Sequence, residues 1–258
     1  MSVFVIAEAG VNHNGDVHTA KRLIDAARAA GADAVKFQMF SSERLWGDAR
    51  IAHLELKERD YIDLATHASA AWIEFMCTPF GVPEVRFLDS LVRRWKIASG
   101  CLKRRELLVE ISATEQPVIL STGMHYKAEV QRAIDVLGWS KPMTLLHCTS
   151  AYPCPLEAVN LAAMDDLRTI GFPVGYSDHT DGIVIPIAAA GRGAAVIEKH
   201  LTLDRKSAGP DHLSSIEPID FKVMVQAIRD VERALGDGMK RPHEREIALR
   251  KAWGSADD

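Results

Sequence analysis

Short apolar, β-branched runs recur along the chain, separated by segments whose apolar residues fall three and four apart. The runs are VFVIAEAG from residue 3, ADAVKFQMF from 32, EFMCTPF from 74, RRWKIASG from 93, PVILSTG from 117, MTLLHCTS from 143, FPVGYSDHT from 172 and AAVIEKHL from 194, which makes eight predicted strands. Between them HTAKRLIDAARAAGA, KERDYIDLATHASAA, PEVRFLDSL, KAEVQRAIDVLG and DGIVIPIAAAGRG carry helical spacing, several with a Gly near the end as a stop signal. Strands alternating with helices imply parallel pairing through right-handed crossovers. Eight such units in 258 residues predict an α/β fold, a (β/α)8 TIM barrel. A doubly wound open sheet is the competing arrangement. The segment after the first strand, EAGVNHNGD, matches neither its dinucleotide fingerprint nor a P-loop. PIDFKVMVQAIRDVERALG closes the pattern, so the barrel is expected over residues 1–240, with 241–258 as a short polar tail.

The polar positions are as regular as the apolar ones. On such a barrel, catalytic groups sit at the C-terminal ends of the strands, and side chains along each strand alternate between the interior and the helix layer. Every predicted strand turns polar late: Glu8; Lys36 with Gln38; Thr78; Lys96 with Ser99; Ser121 with Thr122; Thr149 with Ser150; Ser177 with His179; Glu198 with His200. The pairs two residues apart share a face. Lysines and glutamates are costly to bury unpaired, so their recurrence at strand ends predicts a polar active-site mouth rather than eight separate exits into solvent.

Composition narrows the classes. A 47% hydrophobic content is enough for a full core, and a net charge of −4 with a pI near 6.2 leaves no electrostatic footprint for nucleic acid. No stretch approaches the roughly 18 to 20 apolar residues of a membrane span, and MSVFVIAEAG carries no secretion signal, so a cytoplasmic location with no membrane partner is expected. Cys77, Cys101, Cys148 and Cys154 form no paired CxxC spacing and are read as reduced thiols.

Two imidazoles from the last two strands, His179 and His200, can bind a divalent metal, and Glu198, Asp178, Asp211 and His212 lie close by in sequence. With oxygen donors abundant and thiolates few, Mn2+ or Mg2+ is expected ahead of structural zinc. Lys36 and Lys96, surrounded by Thr78, Ser99, Ser121 and Ser177, form a cradle for phosphate or carboxylate; a Schiff-base role for a lysine is the alternative. These residues alone point to a metal-assisted addition involving a small anionic substrate.

IAEAGVNHNGD, ADAVKFQ, CTPF, KIASG, STGM, LLHCTSAYPCP, GYSDHT, EKHLTLD and GPDHLSS, in this order, resemble the N-acetylneuraminate (sialic acid) synthase family from about residue 3 to about residue 235. The resemblance implies a TIM barrel that condenses phosphoenolpyruvate with an open-chain N-acetylmannosamine-type aldehyde and releases phosphate. By the same resemblance His179 and His200 hold Mn2+, with Mg2+ or Co2+ as substitutes. Lys36, Thr78, Lys96, Ser121 and Ser177 hold phosphoenolpyruvate, joined as substrate-binding candidates by Ser99 and Ser150. Gln38 and Tyr152 grip sugar hydroxyls, Glu8 and Asp211 act on the sugar side of the reaction, and Glu198 transfers a proton near the attacking water.

The resemblance also implies a linker and an antifreeze-like domain beyond the barrel, which supplies an arginine to a partner's sugar. The given chain ends at Asp258, where that linker would begin. The expectation is therefore a barrel whose acceptor is altered or whose missing domain is supplied by a separate protein, with a homodimer through the barrel helices as the other partner expectation. Further departures are a short loop after the second strand, SSERLWGDARIAHLELKERD; Cys101 where Asp is common; and His125 at the expected cap of a helix. The basic run Lys103, Arg104 and Arg105 is either a solvated helix start or a contact to an acidic or phosphorylated sugar. A metal-dependent aldolase or lyase with another donor, and a catalytically silent sugar- or partner-binding barrel, are the alternative functions.

Overall fold

A computed structural model describes residues 2–45 and 49–254. All eight expected strands are present: β1 (Phe4–Gly10), β2 (Ala34–Met39), β3 (Glu74–Pro79), β4 (Trp95–Ile97), β5 (Val118–Ser121), β6 (Met143–His147), β7 (Val174–Asp178) and β8 (Val196–His200). The helices are α1 (Val17–Ala29), α2 (Ser42–Leu45), α3 (Glu58–Ala70), α4 (Val82–Leu88), α5 (Arg105–Ser112), α6 (Lys127–Leu137), α7 (Ala163–Arg168), α8 (Val184–Gly191), α9 (Pro218–Ala234) and α10 (Glu244–Ala252). The strands follow one another in the order β3-β2-β1-β8-β7-β6-β5-β4, every hydrogen-bonded pair among the described residues is parallel, and β3 lies against β4 to close the circle. This is the (β/α)8 barrel and not the open sheet.

Alternation along the strands separates two cores. Residues of one parity, such as Val5, Ala7, Val35, Phe37, Leu120, Leu145, Tyr176 and Ile197, face outward and pack with the buried stripes of the helices. On α1 that stripe is Ala20, Leu23, Ile24 and Ala27, spaced three and four apart, and Asp16 caps the helix by accepting from His18 N and Thr19 N. Residues of the other parity, Ile6, Ala34, Met76, Ile119, Leu146 and Val196, form a small apolar plug inside the barrel. Two residues further along the same strands stand Glu8, Lys36, Thr78, Ser121, Cys148 and Glu198. The interior therefore changes from apolar to polar in one step up the barrel axis.

Four helices, α2, α5, α7 and α10, were not singled out by the apolar pattern. The first three are short, at 4, 8 and 6 residues, too brief for a periodic stripe to stand out. EREIALRKA of α10 is rich in helix formers, and its described side chains are exposed. Helix α6 begins one residue later than expected: Tyr126, not His125, is its cap, with Tyr126 N donating to Glu129 at 2.8 Å. The cysteines are free and buried, and among the described residues no helix is long and apolar enough to cross a membrane.

Candidate active site

The C-terminal mouth of the barrel encloses a cavity of about 430 Å3. Glu8, Lys36, Gln38, Thr78, Lys96, Ser99, Ser121, Ser150, Tyr152, Ser177, His179, Glu198, His200 and Asp211 all line it, so the residues assigned a binding or catalytic role reach one space. The strands supply most of them. Asp211 arrives from the loop after β8, at the start of a 3-10 turn.

Charge is concentrated at the floor. Lys36 Nζ lies 2.7 Å from Glu8 Oε2 and 3.6 Å from Glu198 Oε2, and donates to Thr78 Oγ1 at 3.1 Å. Lys96 Nζ stands 3.4 Å from Glu198 Oε1, which accepts from Ser177 Oγ at 2.9 Å. Gln38 Nε2 donates to Glu8 Oε1 at 2.9 Å. These groups are almost wholly buried, so their protonation follows from the balance between lost hydration and neighbouring charge. Burial lifts the Glu8 carboxyl to about 7, with Lys36 opposing and Glu198 adding. Burial also works against an ionised Glu198, but Lys36 and Lys96 outweigh it and bring its pKa down to about 2. For Lys36 burial is overcome by the two carboxylates and the pKa rises; for Lys96 burial wins and it falls. Glu198 Oε2 and Ser121 Oγ are buried without a hydrogen-bond partner. Ser121 Oγ, an unpartnered hydroxyl beside two lysines, is a donor that an anion can accept from, whereas Glu198 Oε2 is itself an acceptor.

His179 and His200 face each other across the wall, with ring centroids 5.6 Å apart. His179 Nδ1 sits 2.7 Å from the Thr149 carbonyl oxygen. A carbonyl only accepts, so this nitrogen carries the proton and Nε2 keeps its lone pair. Burial holds both imidazoles down at about 4, hence neutral at pH 7. His200 Nδ1 has no hydrogen-bond partner and lies 3.6 Å from Asp211 Oδ2. Tyr152 packs on His179 at 4.1 Å between ring centroids and meets His200 edge-on at 5.9 Å. Neutral, inward, under-partnered imidazoles fit a divalent ion. Among the described residues no group of three or more His, Cys, Asp or Glu side chains is arranged to hold one, so most of its shell would fall to water and substrate.

Other expected neighbours do not join the site. Asp178 lies on the outer parity of β7 and pairs with Lys199 at 2.6 Å. His212 Nδ1 bonds the Thr202 hydroxyl at 2.7 Å. The hydroxyls of Thr122 and Thr149 donate to the carbonyls of Leu146 and Ala158. In the basic run, Lys103 pairs with Glu129 at 2.5 Å, Arg104 Nη1 donates to the Phe80 carbonyl at 2.7 Å, and Arg105 is exposed. None of the three lines the cavity.

Sequence reasoning missed the apolar rim: Val11, Phe40, Ile51, Leu54, Phe80 and Met124. Ile51 and Leu54 lie on a 3-10 turn and Val11 and Met124 in loops, where no periodicity marks them. Phe40 and Phe80 follow β2 and β3 on the parity of Gln38 and Thr78, which was the available signal. Two glycines make the loop positions possible. A Cβ on Gly15 (φ +76°) would fall 2.1 Å from the His53 carbonyl oxygen, so the turn carrying Ile51 and Leu54 seats directly on the NHNGD segment. A Cβ on Gly123 would meet Ser150 Oγ at 2.5 Å and Ser99 Oγ at 2.9 Å. Cys148, also missed, lies in this cluster at 3.3 Å from Ser99 Oγ; its parity with Leu146 was the available signal.

Comparison with known proteins agrees with this geometry. The model described as NeuB family matches residues 23–240. The N,N'-diacetyllegionaminic acid synthase of Legionella pneumophila is 44% identical over 277 residues, covering 97% of this chain and 78% of that protein. The human (Homo sapiens) N-acetylneuraminate-9-phosphate synthase is 34% identical over 275 residues, covering 98% and 77%. Among solved structures, the N-acetylneuraminic acid (sialic acid) synthetase of Leptospira borgpetersenii superposes with a TM-score of 0.91 at 36% identity, covering 98% of this chain and 92% of that one.

Proposed function

The chain belongs to the NeuB family, and from that premise we propose that it condenses phosphoenolpyruvate with the open-chain aldehyde of an acylated amino sugar, forming a nonulosonic acid and inorganic phosphate. The observation that carries this reading is the floor of the cavity, where two buried lysines stand with the hydroxyls of Thr78, Ser121 and Ser177, that of Ser121 left without a partner.

Phosphoenolpyruvate carries a carboxylate and a phosphate. Lys36 and Lys96, with those hydroxyls, offer point charges and donors for both. Its C3 forms the new bond to the aldehyde carbon, whose oxygen takes up a proton. Water adds at C2, and phosphate then leaves, so one water is consumed for each phosphate released. Glu198, held between the two lysines, receives the proton from water. Glu8, the carboxyl whose burial lets it carry a proton near neutral pH, serves the aldehyde oxygen, with Gln38, Tyr152 and Asp211 holding sugar hydroxyls. His179 and His200 would hold Mn2+, with Mg2+ or Co2+ as substitutes, and such an ion when bound polarises the carbonyl and orients water.

The rim bears on the acceptor. Among the described residues lining the cavity the only cations are Lys36 and Lys96, both at the floor, while Phe40, Ile51, Leu54, Phe80 and Met124 form the approach. That lining favours acyl methyl groups and deoxygenated carbons over a sugar phosphate. A catalytically silent barrel would leave this convergence of buried charge without a purpose.

The test is phosphate release from phosphoenolpyruvate with purified protein and Mn2+, across N-acetylmannosamine, its 6-phosphate, 2,4-diacetamido-trideoxyhexoses and simple aldoses, with mass spectrometry of the products. Release tied to an unphosphorylated acetamido sugar, and lost with a chelator, is expected. Release with the phosphorylated sugar alone would overturn the acceptor reading. No release together with no phosphoenolpyruvate binding would overturn the synthase.

A further inference from the structure

Lys199 and Asp178 take no part in that chemistry, yet both are wholly buried, at 0% exposure, between the barrel and its helices. They are register partners on the parallel pair β7 and β8. Each sits next in sequence to a histidine of the site: Asp178 precedes His179, and Lys199 precedes His200. Parity puts the histidines inside and the ion pair outside the same two strands.

The contacts of the pair are directional and fall on both sides of His179. Lys199 Nζ donates to Asp178 Oδ2 at 2.6 Å and to the Thr180 carbonyl oxygen. Asp178 Oδ1 accepts from Thr180 N at 3.2 Å and from Thr180 Oγ1 at 3.0 Å, which also lies 3.0 Å from Oδ2. The residues flanking His179 are thus tied to the residue that precedes His200. His179 has further anchors, through Nδ1 on the Thr149 carbonyl and its own carbonyl accepting from Cys154 N at 2.8 Å. His200 Nδ1 makes no hydrogen bond and only faces Asp211 Oδ2 at 3.6 Å, so its firmest anchors are on the backbone, where its carbonyl accepts from Ile216 N at 3.0 Å.

We propose that Asp178 and Lys199 are positioning residues: a buried ionic clasp behind the barrel wall that fixes the spacing of the His179 and His200 imidazoles, so that two nitrogens reach one divalent ion. The inference rests on the proposed metal-dependent synthase. The ladder sets the register of β8 against β7 up to Asp178. An apolar pair of equal volume would fill the same space but would not tie Thr180, past the end of β7, to Lys199, because apolar contact is non-directional. Holding ligands in place from behind the metal site is a recognised way to set affinity, worth roughly 10- to 100-fold.

The test replaces both charges together, Asp178→Asn with Lys199→Met, so that neither is left buried alone. Thermal unfolding, Mn2+ titration by calorimetry, and the ring 15N–1H spectrum of the metal-free protein are measured against wild type. A folded double variant with its Mn2+ dissociation constant raised about 10- to 100-fold, phosphoenolpyruvate binding without metal changed less than about twofold, and broadened or doubled His179 and His200 ring signals, is the expected result. Unchanged Mn2+ affinity and identical ring signals in the folded variant would overturn the clasp. If wild type itself binds no Mn2+, the metal reading of the function fails, and the ring spectra alone then decide whether the clasp orders the imidazoles. Should the double variant not fold, Thr180→Val keeps both charges and removes the hydroxyl that donates to Asp178, loosening the Asp178 end of the clasp. A several-fold loss of Mn2+ affinity supports the clasp, and no change in affinity or ring signals rejects it.

Discussion

Two charge systems stand back to back on β7 and β8, separated by the thickness of one strand. Inside, Glu198 meets Lys36 and Lys96 at 3.6 and 3.4 Å, and Glu198 Oε2, Ser121 Oγ and His200 Nδ1 have no hydrogen-bond partners. Outside, Lys199 and Asp178 touch at 2.6 Å, and Thr180 completes the network. Both systems are buried, so both bear the cost of dehydration. The outer one is closed within the protein, whereas the inner one pairs Lys36 tightly with Glu8 at 2.7 Å and still leaves polar atoms open to a ligand. A buried charge cluster with loose distances and spare donors is built to be completed by a ligand, whereas one that is already complete serves geometry.

That contrast can be broken from either side. The largest effect is expected inside: Glu198→Gln should lower turnover by about 10²- to 10⁴-fold, read in steady-state phosphate release of the folded variant. Retained turnover would remove Glu198 from proton transfer. Outside, Lys199→Met alone leaves Asp178 buried without a counter-ion and should cost about 3–5 kcal/mol of stability, read in denaturant unfolding. A loss below about 1 kcal/mol would mean that water reaches the pair. Lys96→Ala removes one cation from the unfinished cluster and should raise the KM for phosphoenolpyruvate roughly 10- to 100-fold, the worth of a charged hydrogen bond at about 1.5–3 kcal/mol. An unchanged KM would take that lysine out of the anion cradle. Smallest is the rim: Phe80→Ala should raise the acceptor KM about tenfold, in the range of an apolar contact, and leave phosphoenolpyruvate unaffected.

How much of this was legible depended on periodicity. The eight strands carried period-two alternation and the longer helices a period near 3.6, so both could be read directly. Most polar residues at the strand ends followed from the same alternation and line one cavity, while Thr122 and Thr149 turn to backbone carbonyls instead. Asp178 was grouped with the metal ligands because it lies beside them in sequence, although its parity, between Ser177 and His179, places it on the other face. His212 and Asp211 sit on a loop, where parity gives no guidance. One reaches the cavity and the other bonds Thr202. Part of the rim was invisible for the same reason: Ile51 and Leu54 belong to a turn whose course is decided by what it rests on, while Phe40 and Phe80 continue the inward parity of Gln38 and Thr78 and were legible in principle. In the loop after β2, residues 46–48 lie outside the described residues.

The linear order of apolar and polar residues thus determined the barrel, its direction and the chemical character of its floor, because strand alternation is a local property that each residue carries with it. Tertiary structure alone decided which charges meet. Lys36, Lys96 and Glu198 come from three different strands, and their protonation depends on burial and on distances of a few ångströms, which exist only once the barrel has closed.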